Sequence, residues 1–196
     1  MENNTQLKEM IRSMVIDVLQ GQKQEMASSQ PIKQASRGQV EPGVFDTVDE
    51  AIQAAKAAQA RFEDCTLATR EKVIADIRAA MRPRVQELAQ KTVEETGMGR
   101  VADKVLKLNL TLDKTPGVED LVTECETGDN GMTLYELSAY GVIGAITPST
   151  NPAETLICNT IGMLAAGNAV FFSVHPGAKH LSRLLVSELN QIIAKS

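Results

Sequence analysis

The sequence predicts an α/β fold with a Rossmann-like parallel sheet, and three neighbouring segments carry this prediction. Residues 141–147 form a short apolar run rich in Val and Ile, which is typical of a strand buried on both faces. A helical segment runs from Pro152 to a stop at Gly167, and a second apolar strand follows over residues 169–174. Strand, helix and strand in so short a span form a βαβ unit, which implies parallel strands and a crevice at their carboxyl ends where nucleotides bind.

The start of the helix in this unit is marked by three residues. Asn151 suits the N-cap, Pro152 the first helical position and Glu154 the third, in an arrangement that resembles a capping box. Residues 147–152, called loop 147–152 below, therefore lie where a strand ends and a helix begins. Donors at such a position face into the crevice, so we expect this loop to border a bound nucleotide.

Helical patterns precede this unit, and a final one follows it. Thr47-Val-Asp-Glu50 matches a capping box at the start of the first helix. We expect this first helix to reach about Phe62, a second to run from Leu67 to about Arg82, and a third to cover residues 83–96. A fourth helix carries the apolar stripe Val101, Val105, Leu108 and Leu112 and ends at Thr115-Pro-Gly117. Larger apolar side chains alternate with other residues over 132–139, as in a strand. Residues 180–195 carry apolar side chains on one face and predict a helix that covers the sheet.

The first 42 residues differ in character from the folded domain, which we place at 43–196. Residues 1–19 predict an amphipathic helix, and residues 20–42 predict a flexible linker because they are rich in Gln, Ser, Gly and Pro. The apolar stripe of the helix consists of Leu7, Ile11, Met14, Val15 and Val18. A helix on such a tether needs another surface, and the residues alone leave open a solvent-exposed extension or an oligomer contact.

Composition limits the possible functions. The net charge of −5 without a basic cluster argues against a nucleic-acid surface. Three dispersed cysteines give neither metal-ligand spacing nor a disulfide framework, as in a reducing cytosol. No apolar run approaches the roughly 20 residues of a membrane span, and the N-terminus lacks the pattern of a secretory signal. We therefore expect a cytoplasmic protein without metal, nucleic-acid or membrane partners.

Several motifs, in order along the chain, resemble one known family. ITPSTNP at 146–152, followed by MLAAGNAVFFSVHPGAK at 163–179, is similar to the CoA-acylating aldehyde dehydrogenases, especially the propionaldehyde and acetaldehyde dehydrogenases of bacterial microcompartments. Residues 95–100 and 113–131 agree with the same family. The resemblance implies NAD-dependent oxidation of a short aldehyde to acyl-CoA, with coenzyme A as co-substrate. It also implies a homo-oligomer when the enzyme is full length.

The resemblance implies that the chain is only the N-terminal part of such an enzyme. Family members are considerably longer, and their nucleophilic cysteine lies in a second domain, so we expect the 196 residues alone to be inactive. Cys65, Cys125 and Cys158 do not match the family's nucleophile, and the apolar context of Cys158 predicts an inert core residue. The alternative function is a non-catalytic targeting or assembly module that binds shell or cargo proteins.

The resemblance assigns the cofactor and the reacting carbonyl to two loops. The residues expected to line the cofactor site are Thr147, Pro148, Ser149, Thr150, His175, Pro176 and Gly177. When the prolines are aligned, Thr150 occupies the position where related enzymes have an oxyanion-binding asparagine, so the Thr150 hydroxyl, the Asn151 amide or a backbone N–H remains open as donor. From the residues alone, Asn151 is equally well a helix cap, and His175 a capped surface residue.

The resemblance also gives the first helix a function. In microcompartment dehydrogenases such an N-terminal helix and linker act as an encapsulation peptide that directs cargo into the protein shell. The apolar stripe of residues 1–19 would then bind a groove of a shell protein or of a neighbouring cargo molecule. We therefore expect the enzyme in the lumen of a bacterial microcompartment.

Overall fold

The computed structural model describes residues 41–196 of the 196-residue chain. The helix predicted for residues 1–19, with its stripe, and nearly all of the linker predicted for residues 20–42 lie outside the described residues. Those two predictions therefore stay predictions.

Four helices come first, in the order that the sequence predicts. They are α1 (Val48–Phe62), α2 (Leu67–Met81), α3 (Val85–Thr96) and α4 (Val101–Lys114). The capping box of α1 is confirmed, because the Thr47 hydroxyl accepts a hydrogen bond from the Glu50 N–H and the Glu50 carboxylate accepts one from the Thr47 N–H, both at 3.2 Å. Gly97 ends α3 in a left-handed conformation with φ +66°.

The strands form two separate pairs. An antiparallel hairpin consists of β1 (Glu124–Gly128) and β2 (Gly131–Tyr135), and all of its residues are exposed. The predicted βαβ unit follows as β3 (Val142–Thr147), α5 (Pro152–Ala165) and β4 (Ala169–Val174). The strands β3 and β4 are parallel, and their last residues, Thr147 and Val174, lie opposite each other. The predicted fold class is therefore confirmed.

The end of α5 shows how one glycine joins local and tertiary structure. Gly167 has φ +78°, its N–H donates to the Leu164 carbonyl at 3.0 Å, and the Asn168 N–H donates to the Met163 carbonyl at 2.9 Å. This pair of bonds is a Schellman motif, which requires the left-handed residue that glycine supplies. A Cβ on Gly167 would also lie 2.7 Å from the guanidinium of Arg70, which would have to shift to make room for it.

The core lies among helices α2 to α5 and the last helix, α6 (Lys179–Lys195). Each of these five helices contributes a fully buried side chain, namely Ile77, Leu88, Leu108, Leu156 and Leu185. The prediction that the last helix covers the sheet is wrong, because α6 packs mainly against α2, α3 and α5, whereas α1 and α5 contact both β3 and β4. An apolar stripe specifies which face of a helix is buried, but not which element buries it.

Two burial predictions are also wrong. In β3, Ala145 and Thr147 are buried, but Gly144 is exposed and Ile146 is 87% exposed. Within residues 41–196, β3 pairs with β4 alone, and Ile146 is left uncovered, although the apolar sequence of β3 is that of a strand buried on both faces.

Cys158 is exposed rather than part of the core, because the turn of α5 directs it outward while its neighbour Ile157 is fully buried.

Candidate functional site

Two loops meet at the carboxyl edge of the parallel strands. Loop 147–152 follows β3, and residues 175–178, called loop 175–178 below, follow β4. An ideal Cβ on Gly177 would lie 4.0 Å from Cβ of Ser149, so the two loops are close neighbours. The structure therefore brings the predicted site residues of both loops to one edge of the sheet, as the βαβ topology requires.

In loop 175–178, the histidine side chain caps its own turn. Nδ1 of His175 accepts a hydrogen bond from the Gly177 N–H at 3.0 Å, at the start of the single 3₁₀ turn Pro176–Ala178. Because Nδ1 accepts, the neutral imidazole carries its hydrogen on Nε2. His175, Pro176 and Gly177 are all exposed, so capping and contact with a ligand are compatible here.

The residues of loop 147–152 differ in how they meet solvent. Pro148 and Thr150 are exposed, whereas Ser149 is partly buried. Thr147 is 2% exposed, and its hydroxyl oxygen has no hydrogen-bond partner among the described residues. The exposed Thr150 hydroxyl can reach a ligand in the crevice, while the side chain of Thr147 lies underneath the loop.

Asn151 occupies the N-cap position of α5, but its side chain does not cap the helix. Its Oδ1 instead accepts hydrogen bonds from Nζ of Lys104 at 3.1 Å and Nζ of Lys107 at 3.2 Å. Charge-assisted bonds of this kind are about twice as strong as neutral ones, so they outcompete the cap. The predicted capping box at this helix is therefore wrong, since Glu154 also makes no hydrogen bond back to the Asn151 N–H.

Instead of bonding to the Asn151 N–H, the Glu154 carboxylate forms a buried ion pair with Lys104. Lys104 is 3% exposed and Glu154 is 7% exposed, and Nζ of Lys104 lies 3.5 Å from Oε1 of Glu154. Nζ of Lys104 also donates a hydrogen bond to the Thr150 carbonyl. Sequence analysis missed Lys104 because 46 residues separate it from Thr150, and a single lysine on an amphipathic helix gives no sign of burial.

The corner between α3 and α4 borders both loops. Sδ of Met98, between Gly97 and Gly99, lies 3.9 Å from Oγ of Ser149. At the end of α3, the Glu95 carboxylate accepts hydrogen bonds from the backbone N–H groups of His180 at 2.8 Å and Leu181 at 2.7 Å. These are donors of the first turn of α6, where a negative charge is stabilising. The 97–99 segment follows a helix rather than a strand, so its two glycines are not a dinucleotide fingerprint.

Residues 41–196 contain no group of three or more His, Cys, Asp or Glu side chains that could hold a metal ion. None of the helices in this range combines the length and the apolar character that a membrane span needs.

Comparison with known proteins defines the class. The model of the aldehyde dehydrogenase family matches residues 18–192, so this chain belongs to the aldehyde dehydrogenase family. Within that family it is 51% identical, over 150 residues, to the CoA-propanoylating propanal dehydrogenase of Salmonella typhimurium, an alignment that covers 76% of this chain and 32% of the relative. It is 44% identical over 190 residues to the corresponding enzyme of Citrobacter freundii, covering 97% of this chain and 38% of that enzyme.

Solved structures agree with these relatives. A propionaldehyde dehydrogenase from the fucose-utilisation microcompartment of Clostridium phytofermentans superposes with a TM-score of 0.75 at 51% identity, covering 78% of this chain and 35% of that one. The Rhodopseudomonas palustris propionaldehyde dehydrogenase with bound propionyl-CoA superposes with a TM-score of 0.75 at 49% identity, and the match covers 78% of this chain and 34% of that one. The resemblance to CoA-acylating enzymes is confirmed, and the chain spans about a third of the length of these relatives.

Proposed function

We propose that this chain forms the N-terminal part of the NAD-binding domain of a CoA-acylating aldehyde dehydrogenase. The parent enzyme oxidises a short aldehyde, propionaldehyde or acetaldehyde, to acyl-CoA with NAD and coenzyme A, in a bacterial microcompartment. The observation that carries the proposal is that loop 147–152 and loop 175–178 lie side by side at the carboxyl edge of a parallel sheet. The names of the relatives supply the aldehyde and the acyl acceptor.

The residues present fit a dinucleotide at this edge. Gly177 is exposed and has no side chain, and the space that a Cβ would fill lies 3.2 Å from Nδ1 of His175 and 4.0 Å from Cβ of Ser149. A ligand can therefore approach the backbone between the two loops, with the Nε2–H of His175 as a donor beside it. When bound, the nicotinamide cofactor supplies the hydride acceptor for aldehyde oxidation.

The chain's own part in the chemistry is to stabilise negative charge. A thiolate that attacks an aldehyde creates an oxyanion, which needs donors fixed in advance at the right distance. Thr150 offers an exposed hydroxyl, and Asn151 offers its amide nitrogen because its amide oxygen is occupied by two lysines. We assign the oxyanion donor to this pair. The nucleophilic cysteine belongs to the two thirds of the relatives' length that this chain does not span.

Residues 1–19 act, in this proposal, as the encapsulation helix. Three observations support this role: the apolar stripe of five residues, the alignment to the Citrobacter enzyme, which extends into the first 40 residues, and the microcompartment origin of a close structural neighbour. If the chain were instead a non-catalytic assembly module, its parent would bind shell proteins without oxidising aldehydes.

Aldehyde oxidation by the full-length protein that carries this chain tests the proposed function. We expect NADH formation from propionaldehyde or acetaldehyde that requires coenzyme A and yields acyl-CoA. A non-acylating dehydrogenase would form the free acid without coenzyme A, and an assembly module would form no NADH. Either of these two results would contradict the proposal.

A further inference from the structure

We propose that Lys104 is a positioning residue that holds loop 147–152 in the orientation in which its donors meet the oxyanion. The inference rests on the proposed function, and it deepens the description of that same site. Lys104 lies in the first turn of α4, outside both loops, and nothing in the sequence around it marks it as part of the site.

The contacts of the Lys104 ammonium are all directed at one short segment. Nζ donates to the Thr150 carbonyl and to Oδ1 of Asn151 at 3.1 Å, and it lies 3.5 Å from Oε1 of Glu154. Two of the three N–H donors of the ammonium are used by the Thr150 carbonyl and by Oδ1 of Asn151, and Glu154 adds an ion pair without a hydrogen bond. The cation therefore joins the end of the loop to the first turn of α5.

The electrostatic cost of this arrangement argues against a role in packing alone. Lys104 and Glu154 are both more than 90% buried, and taking two charges out of water costs several kcal/mol per ion before their attraction repays it. An apolar pair of similar volume fills such a space at equal or lower cost. An apolar pair, however, has no N–H donors and could not fix the direction of the Thr150 carbonyl and the Asn151 amide.

The orientation of the Asn151 amide is the functional consequence. Lys104 and Lys107 both bind its oxygen, so the amide nitrogen must face away from α4. With the oxygen held on one side, the nitrogen keeps its two N–H donors in a fixed direction, and the neighbouring Thr150 backbone is fixed by the same cation. Donors that are fixed before the reaction are the ones that stabilise an oxyanion most, because they need no reorganisation.

The kinetic test uses the full-length enzyme with Lys104→Met, which keeps an unbranched side chain of nearly the same length and removes its donors. We expect kcat to fall roughly tenfold to a hundredfold, the loss typical of a small misplacement of a catalytic group. The KM for aldehyde should stay within about twofold, because the donors act on negative charge that develops only in the transition state. Lys72→Met is the matched control, since Lys72 lies in an exposed pair with Asp76 on α2, and it should leave kcat unchanged.

A second comparison separates positioning from folding and from direct catalysis. In a Thr150→Ala, Asn151→Ala background, adding Lys104→Met should lower kcat by less than about threefold, because residues that act as one unit are not additive. If Lys104→Met folds poorly because it leaves Glu154 buried without a counter-charge, Lys104→Met with Glu154→Gln removes both charges and should show the same loss of kcat. An unchanged kcat in a folded variant, or a fully additive loss, would overturn the proposal.

Hydrogen–deuterium exchange tests whether Lys104 holds loop 147–152 without any catalytic assay. Lys104→Met should raise exchange in peptides that cover residues 147–156 and leave peptides from α2 unchanged. If the full-length protein oxidised no aldehyde, the proposed function would fail, yet the exchange result would still decide whether Lys104 holds the loop. Unchanged exchange in residues 147–156 would show that it does not.

Discussion

The polar groups at the helix ends of this chain are held either by near neighbours in the sequence or by side chains that folding brings close. Thr47 and Gly167 act on partners within five residues along the chain, and the hydrogen bonds expected from their local motifs are present. Asn151 fits the same kind of motif, but its side chain binds lysines 44 and 47 residues away. A cap motif is reliable only when no stronger donor approaches in the folded state, and the approach of α4 is a tertiary event that local patterns do not contain.

Gly167 provides a stability prediction at this scale. We expect Gly167→Ala to lower the free energy of unfolding by about 1–3 kcal/mol, because alanine resists φ +78° and its Cβ would lie 2.7 Å from the Arg70 guanidinium. Denaturant unfolding of the full-length protein measures this. Gly162→Ala in α5 is the control, since its Cβ meets nothing within 4 Å, and it should be neutral or stabilise by up to about 1 kcal/mol. Equal effects of the two variants would contradict this account.

The site residues give a kinetic prediction. Removing the oxyanion donor, with Thr150→Ala or Asn151→Ala, should lower kcat by roughly 10²–10³-fold with a smaller effect on cofactor affinity. His175→Ala should instead raise the KM for NAD or coenzyme A and leave kcat nearly intact, since that contact is equal in the ground and transition states. Steady-state kinetics of the full-length variants separates the two roles. Wild-type kinetics in all three would show that these side chains contact neither the cofactor nor the reacting carbonyl.

Among the secondary-structure elements, boundaries were easier to predict than partners. The sequence placed the helices and the parallel strands within a few residues, because capping residues, proline and glycine act locally. It did not show that α1 rather than α6 covers the sheet, or that one face of β3 is open within residues 41–196. The strand β1 was also missed, since Glu124–Gly128 is fully exposed and its residues show no apolar alternation.

Helix α3 provides a pH prediction. Hydrogen bonds from Arg84 and then Lys91 lower the pKa of Glu87 to about 2, so the carboxylate stabilises the fold above its unfolded pKa of 4.5 and loses this effect as the pH falls towards 2. Because Glu87 is 45% exposed, Glu87→Gln should cost only a few tenths of a kcal/mol at pH 7. The difference from the wild type should shrink below about pH 4.5 and vanish below about pH 2. Urea unfolding at pH 7 and pH 2 measures it, and a difference independent of pH would contradict the ion-pair origin.

The whole chain combines two loops expected to hold a cofactor with a segment expected to act elsewhere. Lys104 contacts the first loop, and Glu95 accepts hydrogen bonds from the first turn of α6, just after the second loop. We expect these loops to form one part of an active site, with the family's nucleophile outside this chain. The first 42 residues are expected to direct the enzyme rather than to take part in its chemistry. The 196-residue chain and residues 1–19 can each be tested in isolation.

The 196-residue chain by itself should not oxidise aldehydes, because none of its three cysteines matches the family's nucleophile. The assay is NADH production from propionaldehyde and coenzyme A, with the full-length enzyme as positive control. NADH production by the short chain that Cys158→Ala abolishes would contradict this prediction, since Cys158 is an exposed thiol.

Residues 1–19 should direct cargo to a shell. Fused to a fluorescent protein and expressed together with microcompartment shell proteins, this segment should co-purify with shells, because its apolar stripe binds a groove there. Leu7→Glu with Ile11→Glu places charge in the stripe and should abolish co-purification. Lys8→Gln with Arg12→Gln changes the polar face and serves as the control. Equal recovery of the wild-type segment and the Leu7→Glu, Ile11→Glu variant would refute the encapsulation role.

In the proposed enzyme, loops 147–152 and 175–178 form the cofactor side of an acylating aldehyde dehydrogenase site. A crystal structure of the full-length protein with bound NAD tests this arrangement. We expect the dinucleotide at the carboxyl edge of β3 and β4, with the nicotinamide beside Thr150 and Asn151 and the adenosine half near His175. A dinucleotide bound elsewhere, with both loops in contact only with protein, would contradict it.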